Sequence, residues 1–218
     1  RGVPIQQGYG LTETAPMTTI LDPEYGLSKL GSAGTPPLFT EVRIVDPTNS
    51  VIDEPGVAGE ICTRGPNVMV GYWNRPEATA EAIDTDGWFH TGDVGYLDSD
   101  GFLFIADRIK DMVITGGENV YPAEVESVLF AHPKITEVAV IGLPDERWGE
   151  AVTAVAVSSS TDGELTLEEL RDYATESLAR YKLPTRLHLV DVLPRNPAGK
   201  VLKFELRDRF NADTNTET

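Results

Sequence analysis

The stretch Gly87-Trp88-Phe89-His90-Thr91-Gly92-Asp93-Val94-Gly95-Tyr96-Leu97-Asp98-Ser99-Asp100-Gly101-Phe102-Leu103-Phe104-Ile105-Ala106-Asp107-Arg108-Ile109-Lys110-Asp111 decides the fold. Apolar residues flank a polar, glycine-containing turn, which predicts a hairpin from Gly95 to Ile105. A charged joint follows at Asp107-Arg108-Ile109-Lys110-Asp111, then a glycine loop at Gly116-Gly117-Glu118-Asn119 and a helix start at Tyr121-Pro122. Polar residues of special chemistry packed between apolar strands mark a site set on a scaffold rather than a plain core.

Upstream of the hairpin, short apolar runs alternate with turn signals. The runs are Glu41 to Val45, Gly59 to Thr63, Val68 to Gly71 and Gly101 to Ile105; Asp46-Pro47, Glu54-Pro55-Gly56 and Arg64-Gly65-Pro66 break them. That rhythm predicts a small antiparallel sheet or barrel. A helix beginning near Asn74-Arg75-Pro76-Glu77 and running to Ile83 interrupts it. At the start, Val3 to Gln6 reads as a strand entering the glycine turn Gly8-Tyr9-Gly10, and Leu21 to Leu30 reads as loop.

Downstream the pattern changes. Lys110 to Thr115 alternates like a strand. A helix is expected from Tyr121-Pro122 to about Ala131, with Val125, Val128 and Leu129 on one face. Ile135 to Leu143 is a strand ended by Pro144-Asp145. Ala151 to Val157 is almost continuously apolar, as a central strand would be. Ser158 to Gly163 reads as an exposed loop. Thr166-Leu167-Glu168-Glu169 is a capping-box signal for a helix to about Leu178 or Arg180. A strand at Leu187 to Val192, a turn-rich loop from Leu193 to Lys200, an amphipathic helix from Leu202 to Phe210 and a frayed polar tail from Asn211 complete the chain. The expected class is α+β: an antiparallel, barrel-like subdomain over residues 1–108, then an α+β domain over 109–218 with a central sheet and flanking helices.

Composition narrows the chemistry. A net charge of −17 over 218 residues argues against nucleic acid and anionic membrane as partners, since both repel an acidic surface. No apolar run approaches the roughly 18 residues that cross a bilayer. A single cysteine, Cys62, forbids an internal disulfide and fits a reducing, cytoplasmic compartment. The absence of an initiator Met and of a signal peptide suggests a piece of a longer protein. An anionic substrate would need a local basic site, so single Lys and Arg residues in polar loops matter here.

Taken singly, the stretches leave two readings open. Gly8-Tyr9-Gly10-Leu11-Thr12-Glu13 is either a turn with Thr12 as a local cap, or a nucleotide contact with Tyr9 as a stacking platform, Thr12 on phosphate and Glu13 as a hard oxygen ligand for Mg²⁺. Asp93 either begins a turn or accepts two hydrogen bonds from a ribose diol. Arg108 lies in a joint from which it could reach phosphate or ribose. Gly116-Gly117 is a tight turn, or a place where a thin ligand arm passes the backbone. Lys200 is either an inert surface lysine or a point charge for an anion. His90, His132 and His188 lack metal-ligand spacing and read as structural; Cys62 reads as a buried small residue. Trp148 is allowed a minor role at a ligand surface.

Together, in order, Gln7-Gly8-Tyr9-Gly10-Leu11-Thr12-Glu13, Gly87 to Asp93, Asp107 to Asp111, Gly116 to Glu126 and Pro194-Arg195-Asn196-Pro197-Ala198-Gly199-Lys200 resemble the later motifs of the adenylate-forming superfamily. The wording is most similar to fatty-acid–CoA ligases, with aromatic-acid–CoA ligases next. The resemblance implies a two-step reaction in which ATP and a carboxylate give acyl-AMP and coenzyme A then takes the acyl group. It implies Gly8 and Tyr9 against adenine, Thr12 on phosphate, Glu13 on Mg²⁺, Asp93 on ribose with Arg108 beside it, and Lys200 on the carboxylate and α-phosphate. It implies a hinge at Lys110 and a pantetheine passage beside Gly116 and Gly117. The family's upstream phosphate loop is absent, so the resemblance implies the end of a large domain plus a mobile C-terminal domain, inactive alone, with peripheral membrane contact of the parent left open. A non-catalytic module that keeps the fold and binds a nucleotide or partner is the other reading.

Overall fold

The computed structural model describes residues 6–159 and 165–214. The start of the strand expected at Val3 to Gln6, most of the loop expected up to Gly163, and the last four residues lie outside them. The chain divides into two compact units, Arg1–Ile109 and Lys110–Thr218.

Unit 1 contains β1 (Gly8–Tyr9), β2 (Thr19–Ile20), β3 (Ser32–Gly34), β4 (Glu41–Val45), β5 (Gly59–Arg64), α1 (Pro76–Ala82), β6 (Phe89–Leu97) and β7 (Leu103–Arg108). β1 and β2 pair with each other; the other five form an antiparallel sheet in the order β3-β7-β6-β5-β4. That sheet is open, with β3 and β4 at its edges, rather than a closed barrel. Alternation decides its two faces. Ala33, Ile44, Ile61 and Leu103 pack on one face together with Tyr9, while Val45, Cys62 and Trp88 pack on the other. The β6–β7 turn is locked by Asp98, whose carboxylate accepts from the backbone N–H of Asp100 and of Phe102 at 3.0 and 2.9 Å.

The apolar run Val68 to Gly71 is not a strand. Its backbone donors go elsewhere, Val68 to the carbonyl of Gly65 and Met69 to that of Glu13, and Gly71 takes φ +149° against Thr79. Helix α1 starts with Pro76 at its first position, as read, but no side chain caps it; Thr79 instead donates back to the Arg75 carbonyl.

Unit 2 contains β8 (Val113–Thr115), β9 (Glu118–Val120), α2 (Pro122–Phe130), β10 (Ile135–Asp145), β11 (Gly149–Ser158), α3 (Leu167–Thr175), β12 (Arg186–Leu189) and α4 (Lys203–Thr214). β11 is central: it pairs antiparallel with β10 on one side, and on the other with β12, in parallel, and with β8. Its apolar run follows from burial on both faces. Val152, Ala154 and Ala156 meet Val125 and Leu129 of α2 and Leu170 and Ala174 of α3, while Val155 meets Leu206 and Phe210 of α4.

Four local expectations shift. Pro144 does not end β10, because β10 pairs with β11 alone and a proline is tolerated on an edge. Helix α3 is capped by Thr166, whose hydroxyl accepts from the Glu169 N–H at 3.2 Å, but it ends at Thr175, short of Leu178. Residues 110 and 111 sit in a single 3₁₀ turn, Ile109–Asp111, so the strand there starts at Val113. Helix α4 continues through Asn211 to Thr214.

Candidate functional site

Within unit 1 the structure joins three of the predicted residues into one chain of contacts. The Tyr9 hydroxyl donates to Asp93 Oδ2 at 2.8 Å, and Arg108 Nε stands 3.3 Å from Asp93 Oδ1. Asp93 and Arg108 are direct cross-strand partners on β6 and β7, so the sheet register delivers the ion pair. Tyr9 arrives from β1, and its ring packs on the unit's core. Burial, and then the negative charge of Asp93, hold the Tyr9 hydroxyl well above the ordinary tyrosine range. It is therefore a proton donor at any working pH. Asp93 is buried, yet both oxygens have partners, which meets the requirement for a carboxylate inside a protein.

Gly8 stands in β1 opposite Ile20. Thr12 and Glu13 lie in a 3₁₀ turn, Thr12–Thr14. The local cap expected from Thr12 comes from Thr14, whose hydroxyl accepts from the Leu11 N–H at 2.9 Å. Glu13 is half-buried and accepts a hydrogen bond from the Tyr72 hydroxyl at 2.9 Å. Gly10 must be glycine: a Cβ there would meet the Pro16 carbonyl oxygen at 1.5 Å.

Unit 2 holds the others. Lys110 is exposed in the 3₁₀ turn before β8. Gly116 and Gly117 are the two residues between β8 and β9, with φ +60° and +85°. Left-handed conformation at both central positions is what a right-twisted two-residue hairpin demands. Strand β9 was not legible, because Glu118-Asn119-Val120 has little apolar text and pairs only with β8.

Beside Gly116 lies a cavity of about 630 Å³, lined among others by Arg147, Trp148, Arg171, Arg180 and Tyr181. Arg147 stacks over the Trp148 ring at 4.6 Å. Lys200 is exposed on the loop after β12. That loop is ordered by its own bonds: Asn196 N–H donates to the Lys200 carbonyl, Lys200 N–H to Asn196 Oδ1, and Arg195 to the Gly199 carbonyl and to Glu137.

One cluster went unread in the sequence. Glu60, Cys62 and His90 place ligand-type atoms within 4.8 Å of one another, with His90 Nδ1 2.8 Å from Glu60 Oε2. Cys62 and His90 are cross-strand partners, and Glu60 precedes Cys62 by the two-residue step that shares a face. Arg43 is opposite Cys62 on β4, ion-paired to Asp84 at 3.1 Å and stacked on Trp88. That guanidinium already supplies positive charge beside the two carboxylates, and burial pushes the Cys62 thiol up to about 12. The cluster is a hydrogen-bonded polar network on a sheet face, although the buried Arg43 Nε beside it has no hydrogen-bond partner among the described residues. His132 and His188 pack against Tyr173 and Phe210 respectively.

Residues 1–73 match the family described as AMP-binding enzyme, and residues 124–200 match the AMP-binding enzyme C-terminal domain. A feruloyl-CoA synthase of Amycolatopsis sp is 50% identical over 96% of this chain and 42% of its own length. A long-chain-fatty-acid–CoA ligase, FadD13, of Mycobacterium tuberculosis is 47% identical over 97% of this chain and 41% of its own length. The solved structure of o-succinylbenzoate CoA synthetase from Bacillus subtilis with the acyl-adenylate intermediate OSB-AMP superposes with a TM-score of 0.87 at 45% identity, over 95% of this chain and 42% of that one. The chain thus spans about two fifths of the length of the relatives it matches. Among the described residues no helix is long and apolar enough to cross a membrane.

Proposed function

We propose that this chain, which belongs to the AMP-binding enzymes of the adenylate-forming superfamily, is part of an ATP-dependent acyl-CoA ligase. The carrying observation is the Tyr9–Asp93–Arg108 chain of contacts, which places an aromatic ring, a buried carboxylate and a guanidinium together in one unit. That set suits an adenosine: the ring for the base, the carboxylate for the ribose diol, the guanidinium beside it.

The reaction runs in two steps. A carboxylate oxygen attacks the α-phosphorus of ATP, the bond to pyrophosphate breaks, and acyl-AMP forms. The sulfur of coenzyme A then attacks the acyl carbon and AMP leaves. Residues 1–108 serve as the end of the large adenylating domain and 109–218 as the mobile domain, with Lys110 as hinge. Glu13 has the chemistry of a Mg²⁺ ligand, a half-buried hard-oxygen donor with one oxygen hydrogen-bonded to the Tyr72 hydroxyl. The ion, when bound, offsets phosphate charge. Thr12 contacts phosphate beside it. Lys200 meets the negative charge that builds at the α-phosphate during the first step.

For the second step, the cavity beside Gly116 supports coenzyme A. The guanidinium groups of Arg147, Arg171 and Arg180 with the rings of Trp148 and Tyr181 suit a phosphorylated nucleotide end in an otherwise acidic chain. The Gly116–Gly117 turn gives a narrow arm room to pass. The acid is a fatty acid or an aromatic acid; relatives of both kinds match at similar identity. The single buried thiol fits a reducing, cytoplasmic setting.

The test is Lys200→Ala in the full-length ligase, with the two half-reactions assayed apart. Adenylation falls at least about a hundredfold, the scale for removing one transition-state charge partner. Thioester formation from preformed acyl-AMP changes much less. Equal losses in both half-reactions would count against the assigned role.

A further inference from the structure

The loop of residues 67–72, which breaks the apolar run expected as a strand, holds the turn that carries Glu13. Asn67 Nδ2 donates to the carbonyls of Thr14 and Met17 at 3.3 and 2.8 Å. Met69 N–H donates to the Glu13 carbonyl at 2.8 Å. Tyr72 reaches the side chain itself, its hydroxyl 2.9 Å from Glu13 Oε1. The loop is in turn tied to α1, where Thr79 Oγ1 accepts from the Tyr72 N–H at 2.9 Å.

We infer that Tyr72 is a positioning residue for Glu13, fixing the carboxylate in the orientation that receives the divalent cation. This rests on the reading of Glu13 as a metal ligand given above. A glutamate side chain has several rotatable bonds, and ordering them at the moment of binding costs affinity. A hydroxyl donating to one carboxylate oxygen sets where the other points, in advance. The Asn67 and Met69 bonds hold the turn's backbone independently of that hydroxyl. Removing the hydroxyl alone therefore separates positioning of the carboxylate from folding of the loop.

The experiment is Mg²⁺ titration of pyrophosphate release by the full-length ligase at saturating ATP, for Tyr72→Phe, Glu13→Gln and the double variant. Metal-free AMP binding and thermal unfolding are measured beside it. Loss of a group that orients a metal ligand is expected to raise the half-saturating Mg²⁺ about tenfold in Tyr72→Phe. The rate climbs back as Mg²⁺ is raised, AMP binding is unmoved, and the double variant is no worse than Glu13→Gln. A raised Mg²⁺ requirement in Glu13→Gln but not in Tyr72→Phe overturns the positioning role. So does a loss in Tyr72→Phe that excess Mg²⁺ leaves uncorrected and that tracks a lower unfolding temperature. An unchanged Mg²⁺ response in Glu13→Gln removes the metal-ligand reading beneath it.

Discussion

The Tyr9 hydroxyl donates to Asp93 Oδ2 across 2.8 Å, joining positions 84 residues apart. A tyrosine offered only as a flat surface needs no fixed hydroxyl. Here the bond holds the ring in place and also satisfies a buried carboxylate. Tyr9→Phe keeps the ring and removes the bond. A hydrogen bond to a charged group contributes about 1.5–3 kcal/mol, so the chain should lose stability on that scale. Asp93→Ala should cost more, since it leaves the Tyr9 hydroxyl without its acceptor and also removes the ion pair to Arg108. Urea unfolding of the two variants checks the order; equal midpoints for Tyr9→Phe and the parent sequence would show that water replaces the bond without loss.

The hairpin at Gly116–Gly117 separates two effects of one kind of substitution. Both residues are left-handed, at φ +60° and +85°. At Gly117 an added Cβ meets nothing within 4 Å, so Gly117→Ala carries backbone strain alone, about 1–2 kcal/mol. At Gly116 the Cβ would stand 3.0 Å from Trp148 Cε3, so Gly116→Ala adds a push on the indole. Gly116→Ala should therefore alter Trp148 fluorescence, and Gly117→Ala should lower the unfolding midpoint with the emission spectrum unchanged. Identical spectra for both variants would place the indole elsewhere.

Local chemistry was legible and distant pairing was not. Thr166 caps α3 from a signal four residues long. The apolar run at β11 announces burial on both faces, because every residue from Ala151 to Ala156 must avoid water. By contrast, Val68 to Gly71 looks like a strand in composition. Its backbone is claimed instead by Glu13, more than fifty residues away. The motifs marked Tyr9, Asp93 and Arg108 singly, but only the register of β6 on β7 reveals the ion pair, and only the placement of β1 reveals the tyrosine bond. The Glu60–Cys62–His90 network escaped for the same reason: Glu60 and Cys62 share β5 but His90 comes from β6, so no sequence spacing records the three together.

Asp145 gives a pH dependence with a definite sign. Its Oδ1 accepts from the Arg147 and Trp148 N–H groups at 3.1 and 3.0 Å, and its Oδ2 from Arg186 at 3.0 Å, so one carboxylate ties the β10–β11 turn to β12. The Trp148 N–H above all, then that of Arg147 and the Arg186 guanidinium, hold its carboxyl below the usual aspartate range. A depressed folded-state value means the stabilisation is fully present above the unfolded value, about 3.9, and is lost as pH falls through the lower folded one. Asp145→Asn keeps the shape and removes the charge. The urea midpoint of the variant should lie below that of the unaltered chain at pH 7, and the gap should narrow only below about pH 4. A gap that persists undiminished at pH 2, where the carboxyl is neutral, would mean that the difference between the two side chains does not come from charge. The charge would then contribute nothing to anchoring Trp148 beside the cavity.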